Sequence, residues 1–451
     1  MTDIPLISLS SERMNEDPVH YLLEQRSVHG DIFYLKQGPI FCRDDGCVGS
    51  VAVLSVTGAR FILENYGIFK KPDSAIILSS GHTHVGHKLF NPLMTIAADQ
   101  HRQIKQYYSQ IIKSHQALFE QHINIATKQY LSSLDSLTTH NVHTVLEDIN
   151  CLCASLILFG NDSEENMSVV RLMLRLFKAR DKKSATLEER AANQVLIDHI
   201  SFELYEKLIN KIHRLSPGEY EKTLLHDLVF NPHSLERSAL HKDVVVGFIV
   251  HSCFALIQET IAATVNVIVL MCLHPQYFQQ LSNQTGVQML SQIDNIIHES
   301  MRLLPPNAML TRYNTQAVDI DGHVFPKHTE FLLCPLVMYR INRCKPHSFY
   351  PERWDTEEEK RRFHFPFGWG RTMCPAKQLG VNQTKTILHE MLSRFRFYMP
   401  TGAEITWAIR GSVILNTDVT MVLSESGIPD VTSDFVYSDS ASTLHHLVNV
   451  T

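Results

Sequence analysis

No stretch of this 451-residue chain is rich in glycine and serine or in proline, and no segment repeats. With nothing that reads as a linker, the length is taken as one large domain rather than an array. The N-terminus, Met1-Thr-Asp-Ile-Pro-Leu6, lacks a basic segment followed by an apolar one. Neither a signal peptide nor a membrane anchor is therefore expected. Basic excess is also missing. A net charge of −6 argues against nucleic acid or an anionic membrane as the main partner. Nine cysteines, an odd number without framework spacing, argue against a disulfide scaffold and for a reducing, cytoplasmic setting. Cys42/Cys47 and Cys151/Cys153 are pairs without a second half and read as ordinary thiols. No phosphate-binding loop or dinucleotide glycine fingerprint occurs in a strand–helix setting.

What is present is mostly helical patterning. Short strand-like runs, Asp31–Leu35 and Val51–Val56, lie near the start, and residues 66–98 read as a long irregular loop. From Asp99 to about Arg237 helix follows helix, broken at Gly160-Asn-Asp-Ser163 and Ser216-Pro-Gly218. The stretch from about His241 to Leu273 is apolar all round, as a helix crossing a protein core should be, and His251, Gln258, Glu259 and Asn266 argue against a lipid span. Another helix precedes Pro305-Pro306. Short strands follow, then one more helix to about Ser393 and a strand-rich end. Residues 425–451 are polar and rich in Ser and Asp, the composition of a tail of low order. The expected fold class is mainly α with a smaller β-rich part.

The chemistry concentrates in Phe367-Gly-Trp-Gly-Arg-Thr-Met-Cys-Pro-Ala376. A lone cysteine beside a turn is ordinarily a structural thiol. Here Gly368 and Gly370 permit tight turns that aim backbone amides at the sulfur of Cys374. Pro375 suits the first turn of a following helix, whose positive end favours a thiolate. Glu299 and Arg302 stand three apart on one helix face. Glu259-Thr260 places an acid beside an alcohol inside the apolar helix, where an unpaired carboxylate is expensive. Such a pair suits proton delivery, the hydroxyl holding water and oxygen and the carboxylate relaying protons. The histidines His82, His84 and His87 invite a metal reading, but no carboxylate or cysteine completes a ligand set, and an exposed loop explains them better.

The cysteine loop resembles the haem-binding signature of the cytochrome P-450 (haem-thiolate monooxygenase) family, with Phe367, Gly370 and Cys374 on its fixed positions. The resemblance runs from about His101 through the final strands. It implies the family's fold, with haem b buried between a long central helix and the cysteine loop, and Cys374 as axial iron ligand. It implies a buried network of Glu299, Arg302 and Arg353, the last from Pro351-Glu-Arg353. His101, Lys105 and Arg312 match the family's propionate-binding positions, with Lys105 standing for Arg. Departures are specific. Thr372 replaces the usual Arg or His, Ala376 replaces Gly, and Leu256-Ile257 stand where small residues open the oxygen groove. Residues 1–424 are expected to form a single haem-thiolate catalytic domain.

The function implied is insertion of one atom of molecular oxygen into a hydrophobic small molecule, a lipid, terpenoid or similar. Electrons would come from a separate ferredoxin or flavodoxin-type donor, docking near Arg361, Arg362, Arg371 and Lys377. The lining expected for substrate is residues 80–93, 247–255, 307–310 and 412–415. Two other readings stand beside it. One is a haem-thiolate peroxygenase or peroxide isomerase needing no electron partner. The other is a non-catalytic haem- or ligand-binding protein.

Overall fold

A helical body with a small sheet lobe is organised around one long apolar helix. The structure, a computed structural model, describes residues 17–36, 48–71, 98–135, 138–182, 186–217, 222–230, 240–284, 286–399, 404–410, 412–416, 419–423 and 436–437. The loop histidines His82, His84 and His87, and Cys42 and Cys47, lie outside these residues. So does most of 425–451, of which Val436–Tyr437 pairs in parallel with Glu404–Ile405.

The sheet lobe is a five-stranded sheet in the order Ile32–Lys36, Gly49–Val53, Thr329–Leu333, Leu310–Asn314, Phe69–Lys70. Its central strands, Gly49–Val53 and Thr329–Leu333, are parallel and buried at every position. Covered on both faces, they carry consecutive apolar residues at Val51–Val53 and Phe331–Leu333, and Ser50 donates to the buried Glu330. The hairpin Val318–Ile320/His323–Phe325 turns through Asp321 and Gly322, both at positive φ, as a tight two-residue turn needs.

The helix breaks read from sequence have local causes. Val142–Phe159 ends where Gly160 adopts φ +87, and Leu187–Arg214 opens on a capping box between Thr186 and Glu189. Ala98–Ser133 runs unbroken for 36 residues and packs against Lys377–Leu392.

The central helix, Lys242–Leu273, is by hydropathy alone apolar enough to cross a membrane, a point its four polar residues had obscured. Instead, 89% of its most apolar window is buried inside the protein. It packs against Val142–Phe159, Gly286–Leu303 and Lys377–Leu392. It is not a uniform α-helix: Ala255–Glu259 forms a π-helical turn between Lys242–Phe254 and Thr260–Leu273. Such a turn inserts a residue and leaves a carbonyl without its helical partner. The carboxamide of Gln383, on the helix after the cysteine loop, donates to the Leu256 carbonyl at 2.9 Å. The bulge is thereby satisfied from outside the helix.

Candidate functional site

The cysteine loop is held from three sides. Its cysteine donates its amide to the Phe367 carbonyl at 2.7 Å, and Gly368 donates to Phe365 at 2.9 Å. Gly368 and Gly370 sit at φ +76 and +57. A Cβ on Gly368 would lie 3.1 Å from the Thr372 carbonyl oxygen, so this position requires glycine on two counts. Trp369 donates to Glu64 at 3.0 Å, and Lys105 donates to the Arg371 carbonyl.

The following helix starts at Lys377, with Ala376 as N-cap and Pro375 before it. Pro375 therefore sits in the turn leading into the helix, not in its first turn as the sequence suggested. The Ala376 backbone amide bonds the sulfur. Burial, then the Glu259 carboxylate, push the Cys374 thiol up to about 11, against the pull of the Ala376 amide, Lys105 and Lys71. Glycine turns and a helix end thus do not make a thiolate unaided; a coordinated metal ion would remove the proton outright.

Cys374 differs from the other described cysteines in access. Cys151, Cys153, Cys253, Cys272 and Cys334 are buried, Cys344 is on the surface, and Cys374 is partly open. Its opening is internal. Cys374, Glu259, Lys71 and His251 are each enclosed by protein, yet each keeps accessible surface. From Val245 to Leu273 the open positions on the central helix are His251, Phe254, Ala255, Gln258 and Glu259, a stripe at helical spacing. Cys374 and Glu259 are within electrostatic reach of each other, so the space between them is taken as one chamber.

Leu256 and Ile257 are closed into the core, so their bulk does not line that chamber; Ala255 does. Thr260 is closed as well, its hydroxyl donating to the Ala255 carbonyl at 3.3 Å across the π turn. The acid and the alcohol therefore do not face the chamber together. Burial raises the Glu259 carboxyl above its ordinary range, opposed by a hydrogen bond from Asn307 and by Lys71.

Three cations converge on the same space. Arg312 is buried, and its hydrogen bonds go to neutral groups, the Thr311 carbonyl and the Thr372 hydroxyl, the latter at 3.2 Å. Lys105 bonds only the Arg371 carbonyl, and Lys71 has no hydrogen bond among the described residues. Lys71 lies within electrostatic reach of Arg312, Lys105, Cys374 and Glu259, and burial lowers its ammonium to about 7. Enclosed like charges of this kind need an anion among them. A thiol near cations of which Arg312 and Lys105 bond only neutral groups among the described residues fits iron plus the two carboxylates of a haem. The His101 side chain lies outside the described residues.

The bracing network is complete. Glu299 and Arg302 are fully buried and bidentate at 2.9 Å, and Arg353 bonds both Glu299 oxygens at 3.1–3.2 Å. Trp354 and the Tyr350 amide each donate to Glu299 at 3.0 Å. The remaining guanidinium donors reach the carbonyls of Tyr339, Pro346 and Ser348 from Arg302, and of Cys344 and Lys345 from Arg353. Burial pushes the Glu299 carboxyl up, but Arg302, Arg353 and the Tyr350 amide hold it below the ordinary range.

Sequence reasoning missed Lys71, Asn307 and Gln383 as site residues. Asn307 was marked only as substrate lining, and Lys71 and Gln383 belong to no spacing pattern. Gln383 alone had a local hint, a polar residue on the inward face of Lys377–Leu392.

Comparison with known proteins agrees with this geometry. A sequence model of the cytochrome P-450 family matches residues 22–422. Cyclooctatin synthase of Streptomyces melanosporofaciens is 29% identical over 124 residues, 26% of this chain and 27% of that protein. (+)-Vincadifformine 19-hydroxylase of Catharanthus roseus is 31% identical over 138 residues, 28% of this chain and 27% of that protein. The match thus spans about a quarter of the length of these relatives. A solved six-coordinated cytochrome P-450 from Thermus thermophilus superposes with a TM-score of 0.67 over 94% of this chain and 100% of that one, at 14% identity. The last likeness speaks for the fold alone.

Proposed function

This chain belongs to the cytochrome P-450 family, whose cofactor is haem with a cysteine thiolate on iron, and on that premise we propose that it is a monooxygenase acting on a hydrophobic small molecule. The observation that carries the reading is that Cys374 lies within electrostatic reach of Glu259, Lys71 and Lys105, and Lys71 within reach of Arg312. Cys374 is the iron ligand, and the three cations hold the propionates. Lys71 makes good the cation missing at Thr372, whose hydroxyl instead steadies Arg312.

Haem with a thiolate ligand supplies dioxygen binding, O–O cleavage and transfer of one oxygen atom. The chain's part is protons, position and exclusion of water. Each turnover takes one C–H bond, one dioxygen, two electrons and two protons to an alcohol and water. Glu259, its carboxyl raised above the ordinary range by burial and bonded by Asn307, is the group placed to pass protons toward the chamber. Thr260 is a positioning residue that pins the π turn through Ala255. Electrons come from a separate donor of ferredoxin or flavodoxin type. Arg361, Arg371 and Lys377 are exposed for its docking, whereas Arg362 is already paired with Glu358 and Glu359.

Turnover of a hydrophobic panel under isotopically labelled dioxygen, with a surrogate ferredoxin and its reductase, tests the reading. One labelled atom in product is expected. Product formed only with peroxide would favour the peroxygenase alternative.

A further inference from the structure

The helix Val56–Glu64 buries Gly58, Ala59, Ile62 and Leu63 and leaves Arg60 and Glu64 exposed, four apart on one face. Both reach the half-buried indole of Trp369 in the cysteine loop. Arg60 lies over the ring, its guanidinium carbon 5.8 Å from the Trp369 centroid and 5.1 Å from that of Phe363. Glu64 accepts the indole N–H at 3.0 Å. The Trp369 and Phe363 rings meet edge-on, 4.9 Å apart. One indole is thus held by a cation on its face, a carboxylate at its edge and a phenyl ring beside it. Helix and loop approach closely: a Cβ on Gly370 would stand 3.5 Å from the Leu63 carbonyl oxygen.

What the indole fixes lies three residues on. The Trp369 carbonyl accepts the Thr372 amide at 3.2 Å and the Thr372 hydroxyl at 3.0 Å. A hydroxyl has one hydrogen to donate. With that hydrogen committed to Trp369, Thr372 can only accept from Arg312, whose guanidinium donates to it at 3.2 Å. A chain of contacts therefore runs from Arg60 and Glu64 on the surface, through Trp369 and Thr372, to the buried Arg312.

We propose that Trp369 is a positioning residue for haem: gripped by Arg60 and Glu64, it holds Thr372 in the pose that aims Arg312 at the haem carboxylates. This rests on the reading of Arg312 as a propionate cation given above. It gives Thr372 a task at a position where a cation is usual: its hydroxyl adds no charge but orients one already present.

The test uses the haem-loaded full chain and two readouts. One is haem loss to excess apomyoglobin, the other the propionate bending band in the resonance Raman spectrum. Trp369→Phe keeps a ring for Arg60 and Phe363 but has no N–H. Glu64→Leu removes the acceptor at an exposed position and so does not threaten the fold, while Glu64→Gln keeps an acceptor. Trp369→Phe and Glu64→Leu should each speed haem loss about fivefold, as loss of one hydrogen bond predicts, and the double variant should be no faster than either. Both should shift the propionate band as Thr372→Val does, with Glu64→Gln near wild type. Added to Thr372→Val, Trp369→Phe should change nothing further. A propionate band unmoved in Trp369→Phe and Glu64→Leu, or a Trp369→Phe effect that adds in full to that of Thr372→Val, would overturn the proposal. Arg312→Gln separates the two levels. If it too leaves the band in place, the propionate reading fails and the proposal with it; if it alone moves the band, only the grip fails.

Discussion

Gln383 donates to the main-chain carbonyl of Leu256 at 2.9 Å and to Asn150 Oδ1 at 2.6 Å, tying the helix behind the cysteine loop to the π turn beside Glu259. The carbonyl it bonds lies within the π turn, so a single side chain links the helix after the cysteine loop to that turn. Gln383→Leu should leave two buried acceptors unsatisfied and destabilise the fold by about 1–3 kcal/mol. Denaturant midpoints check this. A change within a few tenths of a kcal/mol would mean the turn does not depend on Gln383.

Glu299 is the hub of a charge cluster with no access to water. Removing one partner of such a cluster leaves an uncompensated buried charge, about 3–5 kcal/mol. Arg353→Ala is expected to lose that much, and haem content with it, because Cys344 and Lys345 carbonyls are also released. Urea titration alongside haem quantitation measures both.

Glu259 titrates with a worked sign. Its folded carboxyl lies above the ordinary range because burial disfavours the anion. The folded chain therefore keeps a proton that the unfolded chain releases. The contribution to stability is fully present below the unfolded pKa, near 4.3, and is lost as pH rises through the raised folded value. In the haem-free protein, Glu259→Gln should flatten stability across that window. In the loaded enzyme it should lower turnover by roughly a hundredfold, with a larger solvent isotope effect.

Lys71 is tested by retention of haem. Lys71→Gln removes one of three cations and should speed haem loss to a scavenger by about tenfold, the weight of one charge-assisted hydrogen bond. Unchanged loss would place Lys71 outside propionate binding.

Much of this molecule was readable from sequence, and the limits have physical causes. The cysteine loop, Glu299-x-x-Arg302 and Arg353 were legible because each is a local pattern whose spacing carries its geometry. The central helix was legible from its unbroken apolar run. Its π turn was not: Leu256 and Ile257 stood out only as bulky residues where small ones are usual, and the structure closes both into the core within that turn. Lys71, Asn307 and Gln383 reach the site through tertiary contacts between distant segments, for which a single sequence carries no period.

The most direct measurement is the reduced carbon monoxide difference spectrum of the wild-type chain beside Cys374→Ala. The account predicts a thiolate-type band in the first and none in the second, with the Glu299 network, and so the fold, intact in both by circular dichroism. A wild-type protein that binds haem without that band, or a Cys374→Ala protein that keeps it, would contradict the assignment of Cys374 as the iron ligand.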